Sequence, residues 1–249
     1  MIQALLLDLD DTLLGNNVDT FMTRYFGLLR DYARPVFDAD TFLPNLIQAT
    51  QSMIRNTDPE HTNAAVFWQA FEQLTGGRRA ELEPFFSRFY ETEFEQLRSS
   101  TVVRPAAAAL VRAALDEGLA VVIATNPLFP GMAIEKRLEW AGIPVADYPY
   151  TLVTSYENMH AAKPQPAYYR EILSVVDCPP ERALMVGDDW RNDIAPAAAV
   201  GLHTWWITPG KTANGDPSPD LALVRGHGTL DTLADRVSSG WLQQLERSA

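Results

Sequence analysis

From residue 105 onward the chain alternates short apolar runs with amphipathic stretches, and this alternation is what most narrows the folds open to it. Helical patterns over 105–117, 130–141, 166–176 and 193–200 are interleaved with apolar runs at 119–124, 150–154, 183–187 and 203–207. Gly118, Gly142 and Gly201 stand where the helices should stop. Repeated strand–helix units predict a parallel sheet with helices on both faces, so the expected class is α/β with a Rossmann-like core. Residues 208–219, rich in glycine and proline, read as a loop, and 220–224 as an edge strand before a C-terminal helix.

One further apolar run, residues 2–7, precedes Asp8-Leu9-Asp10-Asp11-Thr12-Leu13. A buried strand that ends in two acids one residue apart presents both at the carboxyl rim of its sheet, where open α/β folds bind ligands. Carboxylates held that close repel each other. A cation between them, or a proton kept by one, removes the repulsion, and either condition suits metal or acid–base chemistry. Turn formation and helix capping are the competing uses of Asp10, Asp11 and Thr12.

Between this strand and residue 105 the pattern is helical. Apolar residues recur at three- and four-residue spacing over about 18–34, 40–54, 62–75 and 79–98, as in Phe67, Trp68, Phe71, Leu74 and in Phe85, Phe86, Phe89, Tyr90. Those aromatics are expected to form the interior of the helical segment. Arg24, Arg55, Arg78 and Arg98 fit solvated helix faces, with recognition of a second anionic group as the sharper alternative.

Three later segments give the acids a context. Residues 119–124 lead to Thr125 and Asn126; Lys163 precedes a helix that Pro166 can start; and residues 183–186 lead into Gly187-Asp188-Asp189-Trp190-Arg191-Asn192-Asp193. Only three lysines, Lys136, Lys163 and Lys211, occur against 17 arginines, so a lysine at this place is not a random draw from a lysine-rich surface. In this order the four segments resemble the four motifs of the haloacid dehalogenase superfamily, over residues 1–15 and 100–210. The acid pair after Gly187 leaves open which carboxylate matches the superfamily's metal ligand, and Asp188 is the closer match.

The resemblance implies a core of residues 1–15 and 100–249 and an inserted all-helical cap of the C1 type over 16–99. The stretch between Thr125 and Lys163 has room for only one helix and one strand, so no large second cap is expected there. It also implies a phosphohydrolase: Asp8 as nucleophile forming an aspartyl-phosphate, Asp10 as the acid and base, and Thr125, Asn126 and Lys163 on the phosphoryl oxygens. Mg²⁺ is the implied cofactor, held by Asp8, the Asp10 carbonyl and Asp188, while Asp193 and Asp189 are outer or alternative ligands. A closing lid suits a small phosphorylated substrate. A dehalogenase would have no use for Asp10; a phosphomutase would share all four motifs; a non-catalytic binding module would have no need of Asp8 and Lys163.

Composition agrees with an enzyme of this kind. A formal charge of −12 argues against sequence-independent binding to nucleic acid or to anionic membranes. Cys178, the only cysteine, has no partner for an internal disulfide, and His61, His160, His203 and His227 are too scattered for a zinc site. The apolar start is too short for a signal peptide and runs straight into acids, so a cytoplasmic location is expected.

Overall fold

In the computed structural model, which describes residues 1–208 and 220–245, six parallel strands form the central sheet. The chain enters through β1 (Ala4–Leu7), makes a short strand β2 (Leu14–Asn16), and runs through four helices, α1 (Val18–Ala33), α2 (Ala39–Ile54), α3 (Asn63–Thr75) and α4 (Arg79–Glu91). A 3₁₀ stretch, Glu93–Ser100, leads to β3 (Thr101–Val103), which pairs antiparallel with β2. Then follow α5 (Pro105–Asp116), β4 (Ala120–Ile123), α6 (Gly131–Trp140), β5 (Leu152–Val153), α7 (Pro166–Val175), β6 (Ala183–Gly187), α8 (Ala195–Val200), β7 (His203–Ile207), β8 (Gly226–Gly228) and α9 (Leu230–Ser238).

The sheet order is β5-β4-β1-β6-β7-β8. From β1 the chain builds outward through β4 and β5, then crosses back to lay β6 on the other side of β1. The order therefore reverses at β1, and a crevice opens beyond the carboxyl ends of the strands that flank the reversal. Alternation along the central strands shows why both faces must be covered: Leu5 and Leu7 enter one apolar layer, Ala4 and Leu6 the other. Helices α5 and α9 pack together, as do α7 and α8. Cys178 is a buried thiol in the layer that holds Leu6.

Four details depart from expectation. The fourth helix stops at Glu91 and continues as the tighter 3₁₀ stretch; the 150–154 strand shrinks to Leu152–Val153. Residues 220–224 hold a 3₁₀ turn, Leu221–Leu223, and the edge strand is instead β8, where a side chain on Gly226 would overlap the Trp205 ring. The β2–β3 ribbon had no counterpart in the sequence pattern. Of the loop expected over 208–219, residues 209–219 lie outside the described residues, as does Lys211. Among the described residues, no helix is long and apolar enough to cross a membrane.

Candidate active site

Asp8 follows β1 directly and still donates its backbone N–H to Val186 of β6, at 2.9 Å, so the end of the strand fixes where its side chain starts. Thr125 lies just past β4, and its carbonyl accepts a hydrogen bond from the Tyr168 hydroxyl at 2.8 Å. Asn126 turns its side-chain oxygen to the backbone N–H of Lys163, at 3.2 Å. That contact ties the loop after β4 to the loop before α7.

Lys163 is the hub. It is 3% exposed, and its Nζ donates to Asp8 Oδ1 at 2.8 Å and to Asp193 Oδ1 at 2.6 Å. A solvated charge ahead of a helix would not be enclosed in this way. Asp193 sits in a π-helical turn, Trp190–Ile194, and its second oxygen accepts the Asp189 N–H at 3.1 Å. Its carboxylate lies against Gly187, where any Cβ would overlap it. Asp188 accepts from the Thr12 hydroxyl at 3.1 Å, and the Trp206 indole donates to the Asp188 carbonyl at 2.9 Å. Asp189 is exposed and turned outward, capping the turn through Arg191 N–H, Asn192 N–H and the Asn192 amide.

One carboxylate oxygen from each of Asp8, Asp188 and Asp193 falls within 4.8 Å of the others. Crowding and burial shift their protonation. Burial pushes the Asp8 carboxyl well above the usual carboxylate range, opposed by Lys163 and reinforced by Asp193, Asp188 and Asp10. Burial, then Asp193 and Asp11, raise Asp188 to about 7. Burial also raises Asp193, against the pull of Lys163. For Lys163 burial acts to lower the ammonium, but Asp193 and Asp8 outweigh it and hold it above its ordinary value. Three buried or half-buried acids against one ammonium leave negative charge uncompensated, and a donor set made only of carboxylate oxygens suits a hard divalent cation such as Mg²⁺.

Asp10 stands apart from this cluster. Asn16 Nδ2 donates to its Oδ1 at 3.0 Å, and Arg137 Nη1 to its Oδ2 at 2.5 Å. Arg137 is 1% exposed and lies over the Phe129 ring, 4.9 Å from the centroid. Asn16 also accepts the Asp11 N–H at 2.8 Å, which helps hold Asp11 in a left-handed conformation, φ 52°, while Arg104 pairs with the Asp11 carboxylate.

Asp8, Asp188, Asp193 and Lys163 are thus brought together, Thr125 and Asn126 border them, Asp10 faces a different pair of partners, and Asp189 is directed away. Thr12 was considered from sequence only as a turn or capping residue, and Asn16, Arg137 and Tyr168 had not been singled out. Arg24, Arg55, Arg78 and Arg98 each engage near neighbours, respectively Ser99, Gln51, Glu81 and Glu95, on exposed faces of the helical segment.

Comparison with known proteins adds a family and a range of relatives. A family model described as haloacid dehalogenase-like hydrolase matches residues 2–201. A phosphoserine phosphatase from Thermus thermophilus is 26% identical, covering 89% of this chain and 95% of its own. The pyrophosphatase PpaX of Bacillus cereus is 22% identical over 94% of this chain and 97% of its own. Among solved structures, a HAD phosphatase from Thermococcus onnurineus superposes with a TM-score of 0.56 at 20% identity, covering 94% of this chain and 97% of that one. A 2-haloacid dehalogenase from Pseudomonas syringae gives 0.56 at 22% identity, covering 97% and 100%.

Proposed function

Because this chain belongs to the haloacid dehalogenase-like hydrolase family, we propose that it is a Mg²⁺-dependent phosphohydrolase that cleaves small phosphorylated metabolites in the cytoplasm through an aspartyl-phosphate on Asp8. The observation that carries this reading is the division of partners between two acids. Asp8 is held by Lys163 inside the buried cluster, whereas Asp10 is held by Asn16 and Arg137 outside it. Two carboxylates in different surroundings are what a reaction needs when one acid attacks and the other moves a proton. A dehalogenase would leave Asp10 without a task.

A phosphate monoester is a dianion and repels a carboxylate nucleophile until positive charge stands beside it. Mg²⁺ held by Asp8, Asp188 and the Asp10 carbonyl would supply that charge. Lys163 adds its ammonium, and together with the Thr125 hydroxyl and donors near Asn126 it steadies the phosphoryl oxygens as charge spreads over them. Asp8 attacks phosphorus; Asp10 gives a proton to the departing alcohol and later takes one from the attacking water. Asp193, with one oxygen on Lys163 and the other on a backbone N–H, orients the lysine. Residues 16–99 act as the cap, and Asn16, at the first strand of the β2–β3 ribbon, links its base to Asp10.

The test is phosphate release from a panel of small monoesters with Mg²⁺, Ca²⁺ or chelator present. Release with Mg²⁺ and none in chelator supports the reading, and Ca²⁺ is expected to inhibit because its looser coordination can engage both oxygens of the nucleophile. Full activity in chelator would overturn the metal assignment, and no release from any ester would overturn the phosphohydrolase itself.

A further inference from the structure

A cavity of about 110 Å³ lies between the helical segment and the loop that follows Asn126. Its walls come from α1 to α4 on one side, including Phe67, Phe86 and Tyr90, and from Leu128, Phe129 and Tyr156 on the other. Among the described residues, no charged side chain lines it. Arg24, Arg55, Arg78 and Arg98 engage partners elsewhere, so a carboxylate, an amine or a polyol placed here would meet few groups able to replace its water.

Two links tie the cavity wall to the reacting centre. Leu128 is three residues beyond Thr125, a separation of at most about 10 Å for extended chain. Phe129 carries Arg137 on its ring, and the same guanidinium grips Asp10 at 2.5 Å. An alcohol whose oxygen is served by Asp10 can therefore extend its carbon body along Phe129 into this space.

We propose that this cavity seats the alcohol half of the substrate and that this alcohol is apolar and about the size of one ring. The proposal rests on the phosphohydrolase reading of Asp8 and Asp10, and it narrows that reading to the phosphate monoesters of apolar alcohols. Close-packed interiors leave few voids larger than a water molecule, and an apolar one gains dispersion contacts when a ring or branched chain fills it. Cavities of roughly 150 Å³ lined by such residues stay dry and accept benzene. The walls here suit the same chemistry, with Tyr25, Phe67 and Phe129 offering ring faces and edges.

Benzyl phosphate, whose leaving group is an ordinary alkoxide, is compared with phosphoserine, glycerol 3-phosphate and glucose 6-phosphate at saturating Mg²⁺. The expected kcat/KM for benzyl phosphate exceeds each polar ester by about tenfold or more. Thr50→Trp, which pushes an indole into the cavity from half-buried α2, should raise KM for benzyl phosphate about tenfold and reduce its advantage over glycerol 3-phosphate. Phe67→Ala should instead improve turnover of 2-naphthylmethyl phosphate relative to benzyl phosphate. Benzyl alcohol should raise the melting temperature of the wild-type protein, and Thr50→Trp should abolish that rise. A preference for a polar ester, or a Thr50→Trp effect equal on all esters, overturns the apolar-alcohol assignment. If no ester is cleaved, the phosphohydrolase reading fails, and the benzyl alcohol shift still decides whether the cavity binds a ring.

Discussion

The Asp193 carboxylate lies against the bare Cα of Gly187, in space that a single added carbon would take. Gly187 closes β6, and the π-helical turn that follows folds Asp193 back over it to reach Lys163. Glycine here serves close approach. Gly187→Ala should therefore displace Asp193, destabilise the protein by about 1–3 kcal/mol through overpacking, and lower kcat/KM. Gly27 supplies the contrast, since it lies inside α1 with open space around it. Gly27→Ala should raise stability by about 0.5–1 kcal/mol, and thermal melts of the two variants should move in opposite directions.

Lys163→Ala should reduce kcat/KM by about 10²–10³-fold, the usual consequence of removing one preorganised charged donor. It should also lower stability, because Asp8 and Asp193 would stay buried without their cation, a loss of about 3–5 kcal/mol for a broken buried pair unless the acids take up protons. Lys136 lies on α6 and reaches Glu95, at 3.9 Å. Lys136→Ala should stay near native in both respects, and steady-state kinetics with melts at pH 5.5 and 8 would check the pair.

Chelator-treated protein should be more stable at pH 5.5 than at pH 8. Asp188 is raised from 3.8 to about 7, so its contribution is complete below the unfolded value and fades as the pH rises to the folded one. Between pH 5.5 and 8 Asp188 alone accounts for about 1–2 kcal/mol. Asp188→Asn should remove part of the difference, Asp8 and Asp193 being raised as well, and Mg²⁺ should stabilise the wild type more at pH 8 than at pH 5.5. Melting curves with and without Mg²⁺ at the two pH values measure all three; an unchanged pH dependence in Asp188→Asn would refute the assignment.

Asp10 and Arg137 should show strong coupling. Among the described residues Arg137 Nε and Nη2 have no hydrogen-bond partner, so the contact to Asp10 is a main support of a buried guanidinium. Asp10→Asn should cost about 3–5 kcal/mol, as expected for a buried charge left without its partner. Arg137→Met in the same background should recover part of it, giving a coupling energy of about 0.5–3 kcal/mol in a double-mutant cycle. Activity should stay low in the double variant, because the acid proposed to move the proton is gone.

Asp8 and Lys163 were legible in sequence for different reasons. Asp8 ends a run of apolar residues that leaves a buried strand no other reading, and Lys163 is one of three lysines in a chain rich in arginine. Arg137 was invisible because residues 135–137, Glu-Lys-Arg, look like any solvated helix face, and only tertiary packing turns the third inward. Asn16 escaped notice because β2 is three residues long and meets β3 only after residues 17–100 have folded between them. The edge strand β8 was misplaced because Gly-His-Gly has poor strand propensity, and the reason for its first glycine, the Trp205 ring, lies on a neighbouring strand.

The β2–β3 ribbon pairs Asn16 with Thr101, so the chain leaves the sheet region and returns to it at the same place. For the sheet, everything between those two residues closes a loop whose ends are already clamped, and the entropy of such a closure grows only logarithmically, by about 0.6 kcal/mol for each doubling of length. Helices can be lengthened, exchanged or reshaped inside that loop with little penalty to the strands below. The architecture separates what can vary from what must not: one uninterrupted stretch of sequence can be rewritten, while the acids and the lysine stay where the sheet holds them.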